Sequence, residues 1–92
     1  MSQIRSVVFY SGRVQGVGFR YSVKSIVPGY EVTGTIRNLP DGRVELIAEG
    51  EKQELLDFHQ AIRDSGLRRH IRDEQIHWSE ADDSFRGFEI IR

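Results

Sequence analysis

The sequence predicts an α+β protein in which an antiparallel sheet of four to five strands carries two helices on one face. Three observations support this fold class. Apolar residues alternate with a period of two in some segments, recur at helical spacing in two others, and the segments follow one another as β-α-β-β-α-β with an extra terminal strand. This order is that of a ferredoxin-like split β-α-β sandwich. At 92 residues, we expect a single domain over residues 1–92.

The first strand and the first helix enclose a glycine-rich segment. The apolar run at residues 7–10 predicts a central strand with both faces covered. Three glycines among residues 11–18 then predict a loop. Apolar residues at helical spacing follow over residues 19–27. This helix should be short, because Pro28 and Gly29 cannot continue it.

A hairpin follows the first helix. Residues 30–37 alternate between apolar and polar, which predicts a half-buried strand, and the same pattern recurs over residues 44–48. Between these strands, Pro40 sets the backbone angle of a tight turn, and Gly42 takes the conformation that follows. The two strands are therefore expected to pair as neighbours.

The second half of the chain changes from helix to strand again. From Glu51 onward, apolar residues fall on one helical face, and Gly66 is a candidate C-terminal cap for this helix. Residues 71–78 and 85–91 then predict two further strands. The polar residues 80–84 separate these strands and are expected to form a turn.

Composition excludes several classes of function. The formal net charge of −1 argues against a dedicated nucleic-acid-binding protein, which usually carries a clear basic excess. The absence of cysteine rules out a disulfide framework, a thiol nucleophile and a cysteine-based zinc site. The sequence shows no signal-peptide core and no apolar stretch approaching the roughly 20 residues of a membrane span. We therefore expect a cytoplasmic protein without a membrane segment, and its size favours a monomer.

The segment from Gly12 to Arg20 is the strongest candidate for a ligand site. A strand, a glycine-rich loop and a helix bind anions well, because the first amides of a helix lack internal partners and the helix dipole adds partial positive charge. Glycines let successive N–H groups converge on one point. Arg20, in the first helical turn, would add a guanidinium to the same anion.

The glycines alone leave the ligand open. The Gly-Lys-Ser/Thr of a phosphate-binding P-loop is absent, and the stretch Gly16-Val17-Gly18 lacks the third glycine of the dinucleotide-binding pattern. A plain tight turn beside a surface arginine fits these residues equally well. The glycine spacing therefore indicates an anion site without naming its ligand.

Two longer motifs indicate which ligand the loop binds. Residues 12–20, Gly-Arg-Val-Gln-Gly-Val-Gly-Phe-Arg, resemble the signature G-x-V-Q-G-V-x-F-R of the acylphosphatase family at every fixed position. The second signature of that family is matched at its own spacing, by Gly34, Asn38, Gly42, Val44 and Gly50. The resemblance covers nearly the whole chain, since the family is built as the same β-α-β-β-α-β domain.

The resemblance implies a hydrolase that splits carboxylic–phosphoric anhydrides into carboxylate and inorganic phosphate, with a small-molecule acyl phosphate as substrate. By motif position, Arg20 corresponds to the arginine that binds the phosphate, and Asn38 to the asparagine that orients the attacking water. The phosphate cradle corresponds to the backbone amides of Gln15, Gly16, Val17, Gly18, Phe19 and Arg20. The family implies neither a metal ion nor an organic cofactor.

Other interpretations of the same residues stay open. Asn38 at the end of a strand, shortly before a Pro-Asp-Gly turn, is also common turn chemistry. A module that binds a phosphate anion or RNA without turnover would suit the same fold, although we find no clear pair of exposed aromatic residues to stack bases. Thr35 and Gly18 replace the aromatic and the larger residue usual in the family. These departures would suit a member with a structural or regulatory role.

The histidines and the basic cluster at residues 68–72 do not by themselves indicate a metal or catalytic site. His59 lies on the apolar face of the second helix and is expected in the core or at its boundary, whereas His77 is expected to face solvent. Together with His70, they have no metal-ligand spacing. The basic cluster at residues 68–72 is expected to be solvated, although it would also attract an anionic substrate or RNA.

Overall fold

The alternating segments form a five-stranded sheet, and the two helical segments pack on one of its faces. The computed structural model describes residues 3–92. Two short 3-10 helices, Val27–Gly29 and Gly66–His70, follow the first and the second α-helix. The α-helices and strands are, in chain order, β1 (Ile4–Gly12), α1 (Phe19–Ile26), β2 (Thr33–Asn38), β3 (Val44–Gly50), α2 (Lys52–Asp64), β4 (Ile71–Glu80) and β5 (Phe88–Ile90).

The strands lie in the order β4-β1-β3-β2-β5. Neighbouring strands run antiparallel except β2 and β5, which are parallel. The chain leaves β4 at one edge of the sheet and crosses over residues 81–87 to the other edge. Strand β5 therefore begins at the end of the sheet where β4 finishes and runs in the opposite direction to β4. This direction makes β5 parallel to β2. The predicted α+β fold class is confirmed, with a mixed sheet in place of a purely antiparallel one.

Strand β1 differs from its prediction. Val8 and Tyr10 are fully buried beneath the helices, whereas Val7 and Phe9 are only half-buried on the opposite face. On that face the Arg43 guanidinium lies 4.6 Å from the centre of the Phe9 ring. The prediction of a strand covered on both faces is wrong, because the fold has only two layers and leaves the second face of the sheet open.

The core lies between the sheet and the helices. Val8, Leu46 and Ile36 are opposite one another across β1, β3 and β2, and all three are inaccessible to solvent. Helix α1 adds Phe19 to this layer and α2 adds Phe58, each at most 2% exposed. Burying such side chains contributes roughly 1.5–3 kcal/mol each. This burial fixes the start of α1, and with it the preceding loop, against the sheet.

The first helix ends as predicted and the second does not. Helix α1 stops at Ile26, and Pro28 lies in the 3-10 helix that follows, which confirms the short first helix. Helix α2 ends at Asp64, the backbone of Ser65 is extended, and Gly66 opens a 3-10 helix. The Ser65 hydroxyl accepts a hydrogen bond from the Leu67 amide at 3.2 Å and so starts this new turn. The prediction of Gly66 as a helix cap is therefore wrong.

Two strands are shorter than predicted. Strand β2 begins at Thr33, not at residue 30, because the Glu31 amide donates to the Glu54 carboxylate of α2 at 2.8 Å. Strand β5 covers only Phe88–Ile90 of the predicted residues 85–91. Among residues 3–92, no helix has the length and apolar character needed to span a membrane.

Candidate functional site

Two glycines shape the loop between β1 and α1. Gly16 and Gly18 both have a φ angle of 76°, in the left-handed region that favours glycine. Gly18 directly precedes Phe19, the first residue of α1. Nothing lies within 4 Å of the position that a Cβ would occupy at either glycine, so the backbone angle and not the available space requires them. The loop therefore curls at the N-terminus of α1.

The amides of this loop have no internal partners. From Gln15 to Arg20, no backbone N–H donates to an acceptor within residues 3–92. The first hydrogen bond of α1 runs from the Ser22 amide to the Gly18 carbonyl oxygen, at 3.0 Å. The consecutive free donors lie at the positive end of a helix dipole, an arrangement that favours phosphate and other anions.

Arg20 adds a full positive charge at the same helix terminus. Its side chain is half-buried and lines a groove between α1 and the end of the chain, together with Lys24 and Ile91. Within residues 3–92, none of the salt bridges involves Arg20. Glu89 lines the same groove but forms no salt bridge with this guanidinium, which therefore remains available to an anion.

Asn38 lies at the same end of the sheet as the loop. Tyr10 of β1, Val44 of β3 and Asn38 of β2 are opposite one another, which places Asn38 roughly 10 Å from β1 at the usual strand spacing. Opposite residues point to the same face of a sheet, so the Asn38 side chain faces the helix-covered side, as the buried Tyr10 and Val44 do. Strand β1 continues only two residues beyond Tyr10, to Gly12, before the loop begins.

The side-chain oxygen of Asn38 has no partner. Its Oδ1 atom is buried and accepts no hydrogen bond within the part of the chain that the structure describes. Buried polar groups are nearly always hydrogen-bonded, because an unpaired one costs about 1–3 kcal/mol. An acceptor of this kind beside a set of free amides is suited to hold a water molecule or a ligand hydroxyl.

Gln15 joins the loop to the turn that follows Asn38. Its Nε2 atom donates to the carbonyl oxygens of Leu39, at 2.8 Å, and of Arg43, at 3.0 Å. The loop and the β2–β3 turn are therefore held together by a side chain, not only by the sheet between them. The sequence predicts a role only for the backbone amide of Gln15. The only signal for its side chain was that glutamine is a fixed position of the first signature.

The structure places the predicted loop at the N-terminus of α1 and links it through the Gln15 side chain to the turn after Asn38. The loop amides and Arg20 lie at the N-terminus of α1, and Asn38 is the last residue of β2. The Gln15 side chain of the loop is hydrogen-bonded to Leu39, the next residue after Asn38. Arg20 and Asn38 are not joined by a hydrogen bond in the described chain.

The histidines do not take part in this site. His59 is fully buried, and its Nε2 atom shares a hydrogen bond of 3.0 Å with the hydroxyl of Ser6. Burial, together with the charge of Arg63, lowers the pKa of His59 to about 4. His77 is exposed, as predicted. Among residues 3–92, no group of three or more His, Cys, Asp or Glu side chains is placed to hold a metal ion.

The chain is similar over nearly its full length to proteins of one family. Residues 6–90 match the acylphosphatase family model. An acylphosphatase of Nostoc sp. is 40% identical over 89 residues, which cover 97% of this chain and 87% of the relative. An acylphosphatase of Bacillus licheniformis is 39% identical over 90 residues, which cover 98% of both chains. The chain belongs to the acylphosphatase family.

The fold agrees with this membership. The crystal structure of an acylphosphatase from Bacillus subtilis superposes with a TM-score of 0.87 at 31% identity, covering 97% of this chain and 99% of that one. The resemblance stated from the two signatures is thereby confirmed for the family and for the fold. Within this acylphosphatase-family chain, the first signature forms the loop with free amides, and the second contains Asn38.

Proposed function

We propose that this protein hydrolyses acyl phosphates, with the amides of residues 15–20 and Arg20 binding the phosphoryl group and Asn38 orienting the attacking water. Membership in the family makes the protein a hydrolase of acid anhydrides. The observation that carries the residue roles is the buried, unpartnered Oδ1 of Asn38 at the same end of the sheet as a row of free amides. The free amides bind an anion, and the Asn38 Oδ1 atom accepts a hydrogen bond from a neutral donor such as water.

The cradle stabilises charge on the phosphoryl group. Phosphoryl transfer passes through a loose transition state, in which negative charge is spread over three equatorial oxygens. Preformed amide donors and the Arg20 guanidinium meet these oxygens without having to reorganise during the reaction. Because no carboxylate of the described chain pairs with Arg20, its charge is not shared with a protein acid.

Asn38 orients the attacking water and adds no charge to the site. Its Oδ1 accepts a hydrogen from the water, and its amide group keeps two donors for other contacts. As the water oxygen bonds to phosphorus, the bond between phosphorus and the acyl oxygen breaks, and its electron pair leaves with the carboxylate. The water's proton passes to an oxygen of the phosphoryl group. A carboxylate has a conjugate acid with a pKa of about 4–5, so it leaves without a general acid.

The test is phosphate release from benzoyl phosphate by the wild-type protein and by Arg20→Ala and Asn38→Ala. Each variant should lose on the order of 10²–10³ in rate. Arg86→Ala is the matched control for Arg20, because Arg86 is exposed and lies outside the site. Thermal unfolding of all four proteins should verify that the losses occur in folded protein.

The two variants should also differ in phosphate affinity. Arg20→Ala should weaken inhibition by inorganic phosphate, whereas Asn38→Ala should lower kcat with a smaller change in that inhibition constant. Unchanged activity in both variants would refute the residue roles. Tight binding of phosphate or of a short single-stranded RNA by a wild-type protein without hydrolysis would instead support a binding module.

A further inference from the structure

A cleft of about 290 Å³ lies on the flank of α1 that faces away from Arg20. Its lining includes Val17, a residue of the cradle loop, and Arg69 and His70 of the 3-10 helix Gly66–His70. At about 100° per residue, Ser22 points to this cleft, while Arg20 points to the groove on the other flank. The cleft therefore begins at the phosphate cradle and extends away from it.

The basic end of the cleft, formed by Arg69 and His70, contacts the start of the loop that carries the cradle. The Arg13 amide donates to the carbonyl oxygen of His70 at 3.0 Å. A Cβ atom at Gly12 would overlap the same carbonyl oxygen, so the two segments approach each other closely. The backbone directly after Arg69 is therefore held against the start of the loop.

The lining combines an apolar floor with a cation that has no acidic partner. Ile26 and Leu67 form the floor, and Leu67 is only 5% exposed. The lining residues include no carboxylate, and Arg69 makes no salt bridge within residues 3–92. The groove beside Arg20 differs in this respect, because Glu89 lines it. The Arg69 Nε donates to His70 Nε2 at 3.4 Å, so the two remaining guanidinium nitrogens are the ones that face no protein acid. A cleft with an apolar floor, polar walls and this guanidinium suits a short carbon chain that carries an anion.

The proposed reaction places the leaving group on this side. The attacking water and the leaving oxygen lie roughly in line through phosphorus. Asn38 is on β2, whereas the cleft adjoins the segment that leads into β4, on the other side of the strand order β4-β1-β3-β2-β5. A water held by Asn38 therefore directs the acyl group toward β4 and the cleft.

We propose that this cleft, lined by Val17, Ser22, Ile26, Leu67, Arg69 and His70, binds the acyl part of the substrate and selects acyl phosphates whose acyl group carries a second anionic group. This assignment rests on the proposed hydrolysis of acyl phosphates. Arg69 is the specificity-determining residue, and it binds the distal anion. The cleft volume lies at the lower limit of about 300–1,000 Å³ for ligand pockets, which restricts the acyl group to a small one.

The test compares 4-carboxybenzoyl phosphate with benzoyl phosphate, which differ only in the distal carboxylate. The quantity of interest is the ratio of their kcat/KM values. The wild-type ratio should exceed one, and Arg69→Ala should lower it about five- to tenfold, the usual effect of a partly exposed charge-assisted hydrogen bond. Arg86→Ala removes an equal charge from an exposed site outside the cleft and should leave the ratio unchanged.

Each outcome bears on one assignment only. A wild-type protein that hydrolyses neither substrate would refute the proposed function. Hydrolysis of both, with a ratio that Arg69→Ala and Arg86→Ala change equally, would overturn the cleft assignment and leave the function intact. An equal loss on both substrates in Arg69→Ala would also overturn it, because Arg69 would then act on the fold and not on the acyl group.

Discussion

The Nε2 atom of Gln15 lies 2.8 Å from the carbonyl oxygen of Leu39, the residue directly after Asn38. The same nitrogen donates to the Arg43 carbonyl at 3.0 Å, so one side chain holds both sides of the β2–β3 turn. The loop that carries the free amides is thus linked to the turn that positions Asn38. In the proposed mechanism, this link sets the distance between the phosphoryl group and the attacking water.

Replacing Gln15 by alanine should therefore reduce catalysis more than stability. Both carbonyls keep a second donor, since the Gly42 amide binds the Leu39 oxygen at 3.1 Å and the Leu39 amide binds the Arg43 oxygen at 2.8 Å. The free energy of unfolding should fall by only about 1 kcal/mol, measured in urea. The value of kcat should fall on the order of tenfold or more, because misplacing reacting groups by about 1 Å is costly.

A double-mutant cycle with Asn38→Ala separates two roles for Gln15. If Gln15 acts by positioning Asn38, its removal should change kcat little in the Asn38→Ala background. If the full loss persists in that background, Gln15 acts through the cradle alone, and the inhibition constant of phosphate should change instead. Gln15→Met provides the comparison of similar size, since it keeps the length of the side chain, adds no charge and lacks the Nε2 donor.

Local patterns in the sequence predicted the order of elements, and with it two helices on one face of the sheet, but not that the other face of β1 is open. Alternation predicts β2 and β3, and Pro28 predicts the early end of α1, because both signals act over a few residues. The run at residues 7–10 is equally apolar at every position, so it does not reveal that Val7 and Phe9 face an open side. Coverage of a face depends on how many layers the whole chain forms, which no local pattern contains.

The candidate site was predictable to a similar extent. Glycine spacing predicts an anion-binding loop, and the resemblance of the two signatures predicts Arg20 and Asn38 as residues of the same site. The contact between Gln15 and the β2–β3 turn spans 24 residues to Leu39 and 28 to Arg43, so no periodicity indicates it. The position of Arg69 beside Val17 also depends on tertiary packing.

Substitution of Gly18 by alanine should weaken the cradle. An L-residue in the left-handed conformation found at Gly18 costs roughly 1–2 kcal/mol, and relief of this strain would rotate the amides on both sides. Gly29→Ala is the control, because Gly29 has no positive φ angle and a Cβ there also meets nothing within 4 Å. Gly18→Ala should lower the melting temperature and weaken inhibition by phosphate severalfold, and Gly29→Ala should do neither. Equal behaviour of the two variants would contradict a backbone requirement at Gly18.

His59 should make the fold sensitive to acid. Burial foremost, and then the charge of Arg63, lower its pKa to about 4 from an ordinary value of 6.5. The neutral form is favoured in the folded protein, so its contribution to stability is complete above about pH 6.5 and is lost as the pH falls toward 4. A shift of this size corresponds to about 3 kcal/mol.

The measurement is the free energy of unfolding in urea at pH 7.5 and at pH 4.5, for the wild type and for His59→Gln. Glutamine does not titrate and retains a polar group that can reach the Ser6 hydroxyl, which shares a 3.0 Å hydrogen bond with His59. Other acids titrate in both proteins, so the difference between the two pH slopes isolates His59. Identical slopes would show that His59 is charged in the folded state or that it is neutral in both states over this range.

Tyr10 should be replaceable by phenylalanine without loss of stability. Its ring is fully buried and packs on Phe19 with 5.1 Å between ring centres, so most of its contribution comes from the apolar surface that phenylalanine keeps. Its hydroxyl is buried without a partner in the described chain, and burial is the main cause that raises its pKa. Removing an unpaired hydroxyl should raise the free energy of unfolding by up to about 1 kcal/mol. A loss of 1 kcal/mol or more in urea unfolding would instead show that the hydroxyl has a partner in solution, such as a bound water. Hydrolysis of benzoyl phosphate should be unaffected, because Tyr10 binds neither the phosphoryl group nor the water in the proposed mechanism.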